Sequence, residues 1–223
     1  MSDFIIAVDG PAASGKGTIA AQLGRDYGLP VLDTGLLYRA VGVTLVRGGG
    51  DLGDEAAATA VARTLDPSAL DDPAFRTRAA GEAASRVAPY SGVREALRAF
   101  QRAFAKQPGG AVIDGRDIGT IIVPDAPAKL YVTASPEARA RRRMLQLRAA
   151  GETVSLADIL ADIERRDARD AGRADSPMRP APDAVLLDTS EMTISAAADA
   201  ARRIVEQARG RWEASRSGKA PRG

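Results

Sequence analysis

Five short apolar runs recur along the chain, at residues 4–8, 30–33, 111–114, 129–133 and 184–188. A continuous run of this length is the pattern of a strand buried on both faces, as in a parallel sheet. After the first run, residues 18–27 read as a helix, with Ile19 and Leu23 inward and Gly28 as the stop. Helical patterns separate most of the other runs. The order predicts a doubly wound α/β fold, a five-stranded parallel sheet flanked by helices. Four runs end at an acid: Asp9, Asp33, Asp114 and Asp188. Sites in such sheets lie beyond the carboxyl ends of the strands. These acids are therefore site residues or helix caps. For Asp188, with Thr189 and Ser190 beside it, a cap is expected.

Two intervals are too long for simple crossovers. Residues 34–110 carry helical periodicity (Val93, Leu97, Phe100, Phe104) and turn signals at Gly48-Gly49-Gly50, Asp66-Pro67 and Asp72-Pro73. They read as an inserted, mostly helical subdomain. Residues 139–174 are dense in charge and read as a short helical lid with a following helix. In that helix Leu156, Ile159, Leu160 and Ile163 form an inward stripe, and the same face continues into Arg166 and Asp170, with Arg173 one step on. A stripe that turns from apolar to charged is either a site or a structural Arg–Asp pair one turn apart. The whole chain, 1–223, reads as one domain. Its core is 1–33, 111–138 and 175–209, and a basic tail, 210–223, is expected to be disordered.

Composition narrows the chemistry. The chain has 223 residues, 45% hydrophobic, enough for a substantial core. It has no histidine and no cysteine. That excludes Ser-His-Asp triads, thiol nucleophiles, zinc sites of the usual kind and disulfides. Net charge is +2, yet 27 of the 31 basic residues are arginine. A GC-rich genome accounts for the bias as well as phosphate gripping does, so position must decide which arginines matter. No secretory or membrane segment is visible, and cytoplasmic location is expected. With 4% aromatics there is no basic-aromatic interleaving, so specific nucleic-acid binding is not expected. A monomer with small-molecule partners and no membrane association is expected.

The motif that carries chemistry is Gly10-Pro11-Ala12-Ala13-Ser14-Gly15-Lys16-Gly17-Thr18, set between the first strand and first helix. This is the phosphate-binding loop pattern. Its glycines let backbone N–H groups turn around a polyphosphate, and the helix N-terminus adds positive charge. Lys16 reaches the outer phosphates, and Thr18 can offer a hydroxyl to Mg²⁺. The loop points to a nucleoside triphosphate as ligand without saying what is done with it. A GTPase switch would need an Asn-Lys-x-Asp motif, which the chain lacks.

Three later blocks narrow the reading: Asp33-Thr34-Gly35-Leu36-Leu37-Tyr38-Arg39, Asp114-Gly115-Arg116-Asp117-Ile118-Gly119-Thr120, and the run from Glu164 through Arg166, Arg169 and Asp170 to Arg173. With the loop they closely resemble the bacterial cytidylate kinases, over residues 4–209. The resemblance implies transfer of the terminal phosphate of ATP to CMP or dCMP, with Mg²⁺. A P-loop kinase for another nucleoside monophosphate or a small metabolite is the alternative. By resemblance, Arg39, Arg116 and Arg173 hold the acceptor phosphate, and Arg166 and Asp170 hold the ribose. Ser85, Arg94 and Asp117 read cytosine. Thr34 stands where the family often has serine, and Tyr38 either stacks on the base or packs. Arg139, Arg141, Arg142 and Arg143 resemble a mobile lid; Arg142 and Arg143 are expected to reach the transferring group, and the other two to be solvated. Many members carry a small antiparallel sheet in the insert. Residues 65–77 look too short for it, so a purely helical insert is expected.

Overall fold

The computed structural model describes residues 3–149, 151–173 and 175–217. Five strands, β1 (Ile6–Asp9), β2 (Val31–Asp33), β3 (Val112–Gly115), β4 (Ala128–Thr133) and β5 (Val185–Asp188), form one sheet in the order β2-β3-β1-β4-β5. All four pairings are parallel. The apolar runs are strands because β1, β3 and most of β4 are covered on both faces. Along β1, Ile6 and Val8 face one apolar cluster and Ala7 the other. The first cluster packs the sheet on α1 (Lys16–Tyr27) and α8 (Ile194–Arg216) through Ile19, Leu23, Ala201 and Val205. The second packs it on α2 (Thr34–Arg47), α3 (Glu55–Arg63) and α5 (Ser91–Ala105) through Leu37, Val41, Val93 and Leu97.

Register places Asp33 beside Asp114, Asp9 beside Gly115, and Thr133 beside Asp188. The acids therefore share the carboxyl edge of the sheet, and their roles differ. Asp33 caps α2 by accepting from Gly35 N at 2.9 Å. Asp188 does not cap a helix: its carboxylate accepts from Ser190 N and Oγ, and α8 begins six residues later at Ile194, capped by Thr193, whose hydroxyl accepts from Ala196 N. The chain needs those residues to leave the sheet before a helix can run back along it.

Residues 34–110 hold α2, α3, two 3₁₀ turns, α4 (Arg78–Val87) and α5, with no strand among the described residues. Two prolines, Pro67 and Pro73, start the 3₁₀ turns in place of a sheet. Helices α2 and α4 touch at Gly42: a Cβ there would lie 2.8 Å from that of Ala83. Nearby, Tyr38 of α2 shares a cavity with Ser85 of α4, and Arg39 of α2 lies over Gly81 of α4. Farther along are α6 (Pro136–Ala149) and α7 (Leu156–Ala171). Their seam buries Ala140, Leu147, Ile159 and Ile163. Leu156, counted in the inward stripe, is instead 38% exposed because it opens the first turn of α7.

The expected disordered tail is corrected in part. Helix α8 continues to Arg216, past Gly210. Trp212 packs its ring 5.2 Å from that of Phe4, and Arg216 lies over Trp212. These contacts give the last turns an anchor that a polar composition concealed. Residues 218–223 lie outside the described residues. Replacing Trp212 by Ala should cost about 1–3 kcal/mol in urea unfolding and make residues 210–217 sensitive to limited proteolysis; an unchanged cleavage pattern would contradict the anchor. Among the described residues no helix is long and apolar enough to cross a membrane.

Candidate active site

The loop from Gly10 to Gly15 joins β1 to α1. Gly10 has φ 147°, and a Cβ there would sit 2.0 Å from the carbonyl oxygen of Val132. Only a hydrogen fits, so the loop can press against β4. Ala13, at φ 60°, and Gly15, at φ 92°, are left-handed. No side chain caps α1. The first N–H groups of the helix are thus free for an anion.

Lys16 Nζ lies 3.6 Å from Asp114 Oδ1. Burial lowers the Lys16 pKa, and the nearby Arg116 adds to it, against the pull of Asp114 and Asp33. Burial also raises the Asp114 carboxyl to about 6, Lys16 opposing and Asp33 reinforcing. Asp114 Oδ1 is buried and has no hydrogen-bond partner. Thr18 is exposed and lines a cavity of about 640 Å³ with Lys16, Asp33, Asp114 and Arg143. Asp9 has another use. It accepts from Ile118 N at 2.8 Å and Gly119 N at 2.7 Å, tying β1 to the turn after β3. Burial raises its carboxyl to about 7 against those two bonds.

Across from the loop, four arginines converge, from α2, from α7 and from just past β3 and α7. Arg39 of α2 and Arg166 of α7 meet over Gly81, their guanidinium nitrogens 3.7 and 3.6 Å from the position its Cβ would take. Arg116, just past β3, donates from Nε to Asp170 at 3.1 Å. Arg173 pairs with the same carboxylate. Asp170 is 1% exposed. Burial raises its pKa, but Arg116, Arg173 and Arg166 more than reverse that, and the net shift is downward. Burial lowers Arg166 to about 10, with Arg116 contributing. Burial likewise lowers Arg39 and Arg173. Asp170 is the buried carboxylate among these cations, and it does not neutralise them. Of the two readings of that stripe, a site or an Arg166–Asp170 pair one turn apart, the pair does not form: Asp170 binds Arg116, which enters from the sheet edge, and Arg173.

Beyond Asp170 the pocket narrows. Arg94, 3% exposed, holds Asp117 Oδ2 at 2.5 Å and lies 5.9 Å from the Tyr38 ring centre. Tyr38 also packs on the core. Ser85 Oγ, Arg94 Nε, Arg166 Nε and Arg173 Nε are buried with no hydrogen-bond partner. Thr34 Oγ1 donates to Asp114 O at 2.8 Å. One cavity of about 40 Å³ is lined by Thr34, Tyr38, Ser85, Arg94, Arg116, Asp117, Arg166, Asp170 and Arg173. Arg39 instead lines the adjoining cleft of about 810 Å³, with Arg143, Arg166, Ala12 and Ala13.

Arg139, Arg141, Arg142 and Arg143 of α6 separate. Arg143 lines the central cleft and bonds Gln146 at 3.5 Å. Arg142 donates to Thr189 and, at 3.5 Å, to Ser14 O. It lines an apolar slot of about 280 Å³ beside Gly15 and Thr18, with Leu145, Met192 and Ile194. Arg141 is exposed. Arg139, expected to be solvated, is 3% exposed and bonded on three sides. Its spacing from Arg142 and Arg143, three and four residues, is the signal that could have marked it.

A five-stranded parallel sheet, a phosphate loop at its carboxyl edge and a cationic cleft facing that loop define a P-loop phosphotransferase of the nucleotide-kinase type. Comparison with known proteins supplies the family. Residues 6–208 match the cytidylate kinase family, and the chain belongs to it. It is 68% identical over 208 residues to the cytidylate kinase of Caulobacter vibrioides strain NA1000 / CB15N, covering 93% of this chain and 98% of that protein. To the cytidylate kinase of Xanthobacter autotrophicus strain ATCC BAA-1158 / Py2 it is 60% identical over 206 residues, covering 92% and 99%. Among solved structures, an uncharacterized protein from Eubacterium ventriosum ATCC 27560 matches in fold, with TM-score 0.55 and 15% identity over 92% of this chain and 99% of that one.

Proposed function

We propose that this chain transfers the terminal phosphate of ATP to CMP or dCMP, giving ADP and CDP or dCDP. The observation that carries the reading is a set of neighbouring cavities that share Arg39, Arg143 and Arg166: one is lined by Lys16 and Asp114, and another, lined by Arg116, Asp170 and Arg173, ends at the Arg94–Asp117 pair. Membership of the cytidylate kinase family supports it. In this reading the apolar slot by Arg142 takes the adenine, the loop from Gly10 to Thr18 wraps the phosphates, and Lys16 bridges toward the acceptor. Residues 34–110 close on the acceptor and residues 139–174 on the donor.

The acceptor is itself a phosphate and already anionic, so no general base is needed. Positioning and charge neutralisation carry the rate. Arg39, Arg116 and Arg173 grip the acceptor phosphate, Arg166 and Asp170 the ribose. Arg142 and Arg143 face the donor. Cytosine offers an amino donor and two acceptors. A carboxylate from Asp117 and donors from Arg94 and Ser85 match them, whereas uracil reverses two positions and leaves buried groups unpaired.

The donor set suits magnesium. Thr18 would supply a hydroxyl, and Asp114, whose Oδ1 makes no hydrogen bond and pairs with Lys16 only at 3.6 Å, and Asp33 would supply hard oxygens beside the phosphate loop. Bound there, the ion would neutralise charge on the transferring phosphates.

Coupled ADP release with ATP and a panel of nucleoside monophosphates tests the reading; a wide preference for UMP or AMP would overturn it. Arg39→Ala should lower turnover by about 100-fold with every acceptor. Asp117→Ala should chiefly narrow the CMP-to-UMP ratio of kcat/KM. If Asp117→Ala leaves that ratio unchanged, the base is read elsewhere.

A further inference from the structure

Arg139 is a buried charge outside the residues that line the cleft, and its bonds show what it holds. Nε donates to Ala134 O at 2.9 Å, at the end of β4. Nη1 donates to Ala12 O at 3.2 Å, and the fork grips Asp167 of α7 at 2.6 and 3.2 Å. Ala12 O belongs to the peptide whose N–H is that of Ala13. In a trans peptide the C=O and N–H point to opposite sides. A carbonyl held outward by Arg139 therefore turns the Ala13 N–H toward the cleft, which Ala13 lines. Ala13 itself is left-handed, a conformation an alanine keeps only when its surroundings impose it. One turn along α6, Arg142 repeats the device. With Thr189 Oγ1, at 2.9 Å, it holds Ser14 O, whose peptide carries the Gly15 N–H.

We infer that Arg139 is a positioning residue for phosphoryl transfer: it aims the Ala13 N–H of the phosphate loop at the donor phosphates by holding the Ala12 carbonyl outward. Asp167 holds the fork in place from α7, the helix that also carries Arg166 and Asp170. A lysine cannot replace it, since one ammonium lacks the planar fork that serves three acceptors. The inference rests on the proposed role of the loop as the ATP cradle.

The test compares Arg139→Lys and Asp167→Asn with the parent, at a temperature well below unfolding. Three quantities are read: kcat/KM for ATP, KM for CMP, and inhibition by inorganic tripolyphosphate competing with ATP. Arg139→Lys should lower kcat/KM for ATP by about 10–100-fold. It should weaken tripolyphosphate in parallel and leave KM for CMP nearly unchanged. Asp167→Asn should do the same more weakly, and because Asp167 lies at the surface of the pair it keeps the test open if Arg139→Lys does not fold. A lowered melting temperature with all three constants unchanged overturns the inference. So does weakened ATP use with undiminished tripolyphosphate inhibition. Lys16→Met separates the two readings. If it abolishes turnover while Arg139→Lys has no effect, the aiming role alone fails. If it too has no effect, the cradle reading fails with it.

Discussion

Lys16→Met should lower kcat by about 100- to 1,000-fold at saturating ATP and CMP, the loss expected when one preorganised charge is removed from a transferring phosphoryl group. Lys16 follows the loop and lines a cavity with Arg39, Arg143 and Asp114, in which no other lysine stands among the described residues. Its ion-pair partner, Asp114, is buried and its pKa is already raised. Without Lys16 that carboxyl rises further and takes up a proton near neutral pH, which spares the fold an unpaired buried charge. Circular dichroism should be unchanged. The double variant Lys16→Met with Asp114→Asn should fold as well and be as slow. A kcat within about tenfold of the parent would show that the reaction does not depend on this cation.

The largest effect on stability should come from Asp170→Ala. Three buried or half-buried guanidinium groups depend on this carboxylate, Arg116 and Arg173 by direct pairing and Arg166 through its field. Truncating one member of a buried ion pair costs about 3–5 kcal/mol, because the other charges are left uncompensated. For a chain of this size that is a fall in Tm of roughly 10 °C or more. Urea unfolding gives the free energy directly. A loss below about 1 kcal/mol would mean that the cluster is screened by solvent.

The scaffold was legible because burial on both faces leaves uninterrupted apolar runs, and all five strands fall within two residues of those runs. The loop was legible because its glycines and lysine must be contiguous. The arginines were separable only with help from the family blocks, since a guanidinium that grips phosphate and one that faces water are the same letter. Arg39, Arg94, Arg116, Arg166 and Arg173 were all named from the sequence, and the fold brings them to two adjoining cavities that share Arg166. Arg139 was misread as solvated, because its partners, Ala12, Ala134 and Asp167, are close to it only in the folded chain. Asp188 and the 210–216 segment failed for similar reasons: each looked local, and each is decided by what it packs on.

Local order in the chain determined the class: strand, phosphate loop and helix in succession, with no imidazole or thiol to support other chemistry. Those features are contiguous or compositional, so one dimension suffices for them. Tertiary structure alone decided which charges compensate one another. Asp170 serves Arg116, 54 residues away, and Asp114 serves Lys16, on the far side of the insert. Pairing of buried charges depends on distance in space and on exclusion of water, and neither is written in the spacing of residues along the chain.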